Sequence, residues 1–153
     1  VFYNLKPETL KPGTITMSAS KEIETGTNFT PKFNAHGLIP VIAQDADSGQ
    51  VLMAAFMNDE ALAKTIQTGK ATYYSRSRKK LWTKGEQSGH VQKVCEILTD
   101  CDQDCLILKV RVTAGQCHVG YLSCFYRRVK PNSNDQLEFI AEPVYDPNDV
   151  YKK

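Results

Sequence analysis

The sequence predicts an α+β fold, mostly antiparallel β-strands with one or two short helices. Short apolar segments recur between turn signals, a single segment carries both helix caps, and no internal repeat interrupts them. A length of 153 residues, 41% of them hydrophobic, suits one domain whose core needs no disulfides.

Residues 1–32 are rich in Thr, Lys, Glu, Pro and Gly and lack an apolar period. They read as an N-terminal extension, flexible unless something else holds it. The compact domain spans residues 33–130. Residues 38–43 and 50–57 are apolar and flank the turn signal Asp47-Ser-Gly49, which predicts a hairpin. Asn58 fits an N-cap, Asp59 and Glu60 a first turn, and Gly69 a stop, so a helix is expected over 59–67. Shorter segments at 71–75 and 81–86 flank the basic stretch Arg76-Ser-Arg-Lys-Lys80. Longer β segments at 91–98 and 106–113 lie on either side of Asp100-Cys-Asp-Gln-Asp-Cys105, and a last one covers 121–129. Residues 131–153 read as a polar tail carrying Pro131, Pro143 and Pro147.

Composition excludes several classes. A net charge of +2 argues against a nucleic-acid coat or an acidic solvating tail. The longest apolar run, residues 51–57, falls far short of a membrane span, so no membrane partner is expected. No basic patch followed by an apolar stretch marks a secretory leader, although Val1 in place of Met is compatible with a trimmed one. The location expected is the cytoplasm. Five cysteines, at 95, 101, 105, 117 and 124, are odd in number and crowded. That favours reduced thiols kept for metal or chemistry over an extracellular disulfide framework.

Asp100, Asp102 and Asp104 are spaced by two, which on an extended chain puts three carboxylates on one face. Like charges side by side suit a hard cation such as Mg²⁺; a solvated acidic turn is the bland alternative. Cys101 is interleaved with them, pointing to the opposite face of an extended chain, and Cys117 and Cys124 follow. Three thiolates leave one tetrahedral Zn²⁺ position open, the composition of a catalytic site, whereas Cys95 or Cys105 as a fourth ligand would make a structural one. His118, directly after Cys117, is placed to shuttle a proton; His90 is as readily structural as catalytic, and His36 reads as a surface residue. Residues 73–82 mix Arg, Ser, Tyr and Trp, which suits phosphate and base recognition but also a solvated loop anchored by Trp82. That stretch is too short to be a nucleic-acid patch.

These residues carry a family resemblance. Asp45-Ala-Asp-Ser-Gly49, Ala71-Thr-Tyr-Tyr-Ser-Arg-Ser-Arg78, Leu81-Trp-Thr-Lys-Gly-Glu-Gln-Ser-Gly-His90, Asp100-Cys-Asp-Gln-Asp104, Cys117-His118 and Ser123-Cys-Phe-Tyr-Arg127 occur in order. The sequence resembles the phosphoribosyl-AMP cyclohydrolases of histidine biosynthesis over residues 33–129. The resemblance implies an intertwined homodimer with zinc on Cys101, Cys117 and Cys124, Cys101 coming across the interface. It also implies magnesium on Asp100, Asp102 and Asp104. If Cys101 faces away from its neighbouring aspartates, one chain alone would struggle to bring both metals to one pocket. Some relatives carry a fused pyrophosphohydrolase; the residues after Val129 are too few for one, and residues 1–32 match none of the motifs.

The activity implied is zinc-dependent hydrolytic opening of the adenine ring of 1-(5-phosphoribosyl)-AMP at the N1–C6 bond. The product is the phosphoribosyl-formimino-AICAR phosphate intermediate, in the third step of L-histidine biosynthesis. Zinc lowers the pKa of water from about 16 towards about 7. His118 is the first candidate for proton transfer and His90 the second. Ser75, Arg76, Ser77, Arg78 and Lys84 are the phosphate candidates, with Trp82 stacking or structural. Two other readings compete. A zinc nucleotide deaminase would show H-x-E and P-C-x-x-C patterns, which are missing. A zinc-stabilised binding module would need a closed four-ligand site.

Overall fold

The structure, a computed structural model, describes residues 14–151, so residues 1–13 of the expected extension lie outside the described part. The order of elements is α1 (Thr14–Thr25), β1 (Ile39–Asp45), β2 (Val51–Met57), α2 (Asp59–Thr68), β3 (Thr72–Ser75), β4 (Lys80–Thr83), β5 (Lys93–Thr99), β6 (Leu106–Arg111), β7 (Arg127–Val129), β8 (Leu137–Phe139) and α3 (Pro147–Val150). The α+β class is as expected, with three helices among the described residues where one or two were foreseen.

A four-stranded sheet, ordered β2-β1-β6-β5, carries the core, and β3-β4 and β7-β8 form two separate ribbons. Pairing is antiparallel except between β1 and β6, which run parallel from Val41 opposite Leu106 to Asp45 opposite Val110. β1 earns its central place by alternation: Ile39, Val41 and Ala43 are buried while Pro40 faces out. Leu106, Leu108 and Val110 repeat that period on β6 and meet them in one cluster with Leu52, Met53 and Met57 of β2. The β1–β2 turn closes through Asp45, whose carboxylate accepts from Ser48 N at 2.8 Å, with Gly49 at φ 76°.

The α2 helix begins and ends where its caps lie. Asn58 Oδ1 accepts from Ala61 N at 2.9 Å, and Gly69 is left-handed with its N–H on Thr65 O. Its Ala61, Leu62 and Thr65 face the sheet; burying Leu62 alone contributes about 1.5–3 kcal/mol. Thr65 Oγ1 also accepts from Thr72 N at 2.9 Å, tying the helix to the start of β3.

One expectation needs correction, and two segments gain detail. The segment read as a strand over 121–129 is paired only at Arg127–Val129. Before that the chain loops: Cys117 N and Gln116 N bond to Tyr121 O and Leu122 O, and Cys124 N bonds to Leu52 O at the edge of β2. The tail read as polar contains β8, paired to β7 with Arg128 opposite Glu138. The extension contains α1, held locally by Ser20 on Glu24 and Thr25 on Lys21 O.

Candidate active site

The loop 115–120 is held from three sides. Its successive carbonyls each meet a different element: Gly115 O is 2.8 Å from His90 Nδ1, Gln116 O accepts from Lys84 Nζ at 2.6 Å, and Cys117 O accepts from Tyr145 Oη at 2.5 Å. Beneath it runs a buried amide relay in which Tyr73 donates to Gln92 Oε1 at 2.6 Å and Gln92 donates to Gln116 Oε1 at 3.0 Å. Gln116 completes the relay by donating to Ala114 O at 2.8 Å. A buried amide left unpaired costs more than a paired one contributes, so this relay fixes the loop's register.

Cys117 is buried at the start of that loop, and Cys124 reaches the same place from the segment docked on β2. Cys124, His118, Arg78, Trp82 and Lys84 line one cavity of about 400 Å³. Burial on its protein side, then the neighbouring Cys117, pushes the Cys124 thiol up to about 11, opposed by the Lys84 ammonium. Its remaining surface opens to the cavity. Two neighbouring thiols, one of them open to a cavity, are a donor set that a thiophilic dication would suit. Burial lowers the pKa of Lys84, while Cys124 and Cys117 oppose that shift.

His118 is exposed and opens into the cavity. His90 lies behind the loop, half-buried, its ring edge-on to Tyr145 with centroids 4.9 Å apart. A carbonyl can only accept, so the contact with Gly115 O puts the proton on Nδ1 and leaves Nε2 free. His36 is exposed, as expected, with its backbone N–H on Asn34 Oδ1.

The aspartates come together, but not by the period-two route. Residues 100–105 are a turn with Gln103 at φ 59°, not an extended run. Asp100 Oδ1 accepts from Asp104 N at 3.0 Å and Cys105 N at 3.1 Å. The Asp100, Asp102 and Asp104 side chains nonetheless converge within 4.8 Å, the one group of three or more potential ligand side chains among the described residues. Asp102, then slight desolvation, then Asp100 raise the Asp104 carboxyl; Lys32 opposes them. Oxygens crowded this closely suit a hard cation.

Cys101 is exposed and lines a different hollow, with Ile23, Phe29 and Asp100. Within one chain it therefore does not join Cys117 and Cys124. Cys95 is exposed at the register break of β5, and Cys105 is half-buried just before β6.

The basic stretch is divided. Arg78, Lys84 and Trp82 face the thiol cavity, whereas Ser75, Arg76 and Ser77 line an adjoining one that shares Trp82 as a wall. Trp82 packs on Tyr73, ring centroids 5.0 Å apart, and the Arg76 guanidinium lies 4.3 Å from the Phe56 ring centre. Lys84 is buried and already committed to Gln116 O, which makes it a loop support as well as a wall.

Four residues were not singled out from the sequence. Gln92 and Gln116 are buried amides inside apolar surroundings, a local mismatch that could have flagged them. Gln103 is also buried, but between two aspartates that give no such flag: its side chain accepts from Thr30 N at 2.7 Å and donates to Asn28 O at 3.0 Å, pinning the incoming chain to the aspartate turn. Tyr145 had no signal in the polar tail.

Among the described residues no helix is long and apolar enough to cross a membrane. A family model described as phosphoribosyl-AMP cyclohydrolase matches residues 53–126. A protein named phosphoribosyl-AMP cyclohydrolase from Rhodopseudomonas palustris (strain TIE-1) is 56% identical over 139 residues, 88% of this chain and 92% of its own length. One of the same name from Methanococcoides burtonii is 57% identical over 122 residues, 80% of this chain and 96% of its own length. Another, from Bradyrhizobium diazoefficiens, is 52% identical over 140 residues, 90% of this chain and all of its own.

Proposed function

Since the chain belongs to the phosphoribosyl-AMP cyclohydrolase family, we propose that it opens the adenine ring of 1-(5-phosphoribosyl)-AMP by hydrolysis at N1–C6. The product is the phosphoribosyl-formimino-AICAR phosphate intermediate, and the reaction is the third step of L-histidine biosynthesis in the cytoplasm. The observation that carries the reading is Cys124 in one cavity with His118, Arg78 and Trp82, with the buried Cys117 beside it.

Cys117 and Cys124 would hold zinc together with Cys101 of a second chain, in a homodimer, and Asp100, Asp102 and Asp104 would hold magnesium. When bound, zinc activates water and magnesium neutralises phosphate or ribose oxygens. The protein's own groups do the rest. Trp82 presents its face to the purine, and Arg78 on one side with Ser75, Arg76 and Ser77 on the other meets the phosphates. His118 relays a proton from the attacking water towards N1, where charge collects as the C6–N1 bond parts. His90, with Nε2 free, is the second candidate for that transfer. The separation of Cys101 from the other two thiols within one chain supports the shared site.

The test is an ultraviolet assay of phosphoribosyl-AMP ring opening with the full chain, before and after chelation and after zinc is returned. Turnover that disappears with the chelator and returns with zinc is expected. A zinc-loaded chain that leaves phosphoribosyl-AMP untouched would overturn the reading, and ammonia released from other nucleotides would point to a deaminase instead.

A further inference from the structure

We propose that residues 143–151 form a working wall of the active site, with Tyr145 as a positioning residue for the Cys117–His118 loop and the His90 ring. This rests on the cyclohydrolase reading of the cavity. The segment lies beyond residues 53–126, where the family model matches.

Three observations carry it. First, Tyr145 touches two site residues at once: its hydroxyl donates to Cys117 O at 2.5 Å, and its ring meets His90 edge-on at 88°. Removing the hydroxyl leaves Cys117 O with only the Gly120 N–H, 3.1 Å away within the loop itself, and no bond to the segment outside it. Second, the backbone of the segment is bonded to the same loop: Val144 N and Tyr145 N donate to Gly120 O at 2.7 and 3.2 Å. Third, the loop is shaped to receive it. A Cβ on Gly115 would stand 2.7 Å from the Tyr145 ring, and one on Gly120 would stand 2.5 Å from Tyr145 O. Glycines on both sides of Cys117-His118 thus leave room that only this segment fills.

Beyond Tyr145 the chain turns back to the cavity. Asp146 caps α3 by accepting from Asn148 N at 2.9 Å, and Tyr151 N bonds to Pro147 O at 2.8 Å. That single helical turn sets Tyr151 on the cavity wall that also carries His118. Tyr145 therefore acts on the thiol loop from outside, and Tyr151 faces whatever occupies the cavity.

The experiment compares Tyr145→Phe, which keeps the ring, with Tyr151→Ala in the full chain. Amide exchange of residues 117 and 120 in the metal-free chain reads the clamp without any substrate. Tyr145→Phe should exchange there about tenfold faster, the factor for one hydrogen bond. In the zinc-loaded enzyme it should release zinc faster to a chromophoric chelator and lower kcat by about tenfold with KM little changed. Tyr151→Ala, which removes a neighbour of the Tyr145 hydroxyl but keeps its bond to Cys117 O, should raise KM and change exchange and zinc release less than Tyr145→Phe does. Unchanged exchange, zinc release and kcat in Tyr145→Phe would overturn the proposal. So would a kcat loss matched by a general loss of folded protein at the assay temperature. Failure of the cyclohydrolase reading would show separately, as a wild-type chain inert towards phosphoribosyl-AMP with the exchange difference intact.

Discussion

Lys84 reaches across the fold to place its ammonium on the carbonyl of Gln116, 2.6 Å away and 32 residues on in sequence. The contact joins the end of the β3–β4 ribbon to the loop that carries Cys117 and His118. Lys84→Met keeps the stem and removes the donor, leaving a buried carbonyl unpaired. It should cost about 1–3 kcal/mol of stability and lower turnover together. Chemical denaturation beside steady-state rates checks this; unchanged stability would make Lys84 a substrate contact alone.

Tyr73→Phe removes the first donor of the relay through Gln92 to Gln116. Tyr73 is fully buried, and burial, then Cys124, raises its phenol, so it remains a donor across the working pH range. The expected loss is again about 1–3 kcal/mol. Pairing it with Gln92→Leu should cost less than the sum of the two single losses, because either change alone orphans the other's partner. Strict additivity in a denaturation cycle would mean the relay does not act as a unit.

Gly85 opens the turn that returns the chain from Lys84 to His90. Its φ is +85°, and a Cβ there would lie 2.4 Å from Val91 N. Gly89, in the same turn at φ +74°, has nothing within 4 Å of a built Cβ. Gly89→Ala should cost about 1–2 kcal/mol from the left-handed backbone alone. Gly85→Ala should cost clearly more, since backbone must move. Equal melting shifts for the two variants would contradict this.

Asp45 gives the stability a pH dependence of known sign. Its carboxyl is held below the usual 3.8, first by the Ser48 hydroxyl and then by the Ser48 N–H. A carboxyl lowered in the folded state contributes stability that is present above its unfolded pKa and lost as pH falls through the folded one. The advantage of wild type over Asp45→Asn should be constant at neutral pH and shrink below about pH 4. Because the group is only half-buried at the end of β1 and open to solvent screening, the effect is small. Denaturation midpoints against pH would show it; a gap that widens on acidification would reverse the assignment.

The parts legible in sequence were those decided locally. The β1–β2 hairpin follows from two apolar segments on either side of Asp47-Ser-Gly49, and α2 from Asn58 and Gly69. The aromatics of segment 121–126 resemble a strand in sequence, yet Tyr121 and Tyr126 stack on each other, ring centroids 3.8 Å apart, across a loop. Its backbone partners, such as Leu52 O for Cys124 N, are set by tertiary docking that spacing does not encode. The three aspartates do converge, but a turn around Gln103, not the period of a strand, gathers them. Residue type alone singles out Cys117, Cys124 and His118 as candidates, whereas nothing local points to Tyr145, whose contact with Cys117 O exists only once the chain folds back.

In the proposed function one chain holds only part of the zinc site, Cys117 and Cys124, and Cys101 of a second chain would complete it. The most direct measurement mixes a Cys101→Ala chain with a Cys117→Ala chain and assays phosphoribosyl-AMP ring opening by the verified heterodimer. Each variant alone should be inactive, and the mixture should recover activity, because one of its two sites keeps all three thiols. A verified heterodimer with no activity, or full activity in the Cys101→Ala chain by itself, would contradict the account.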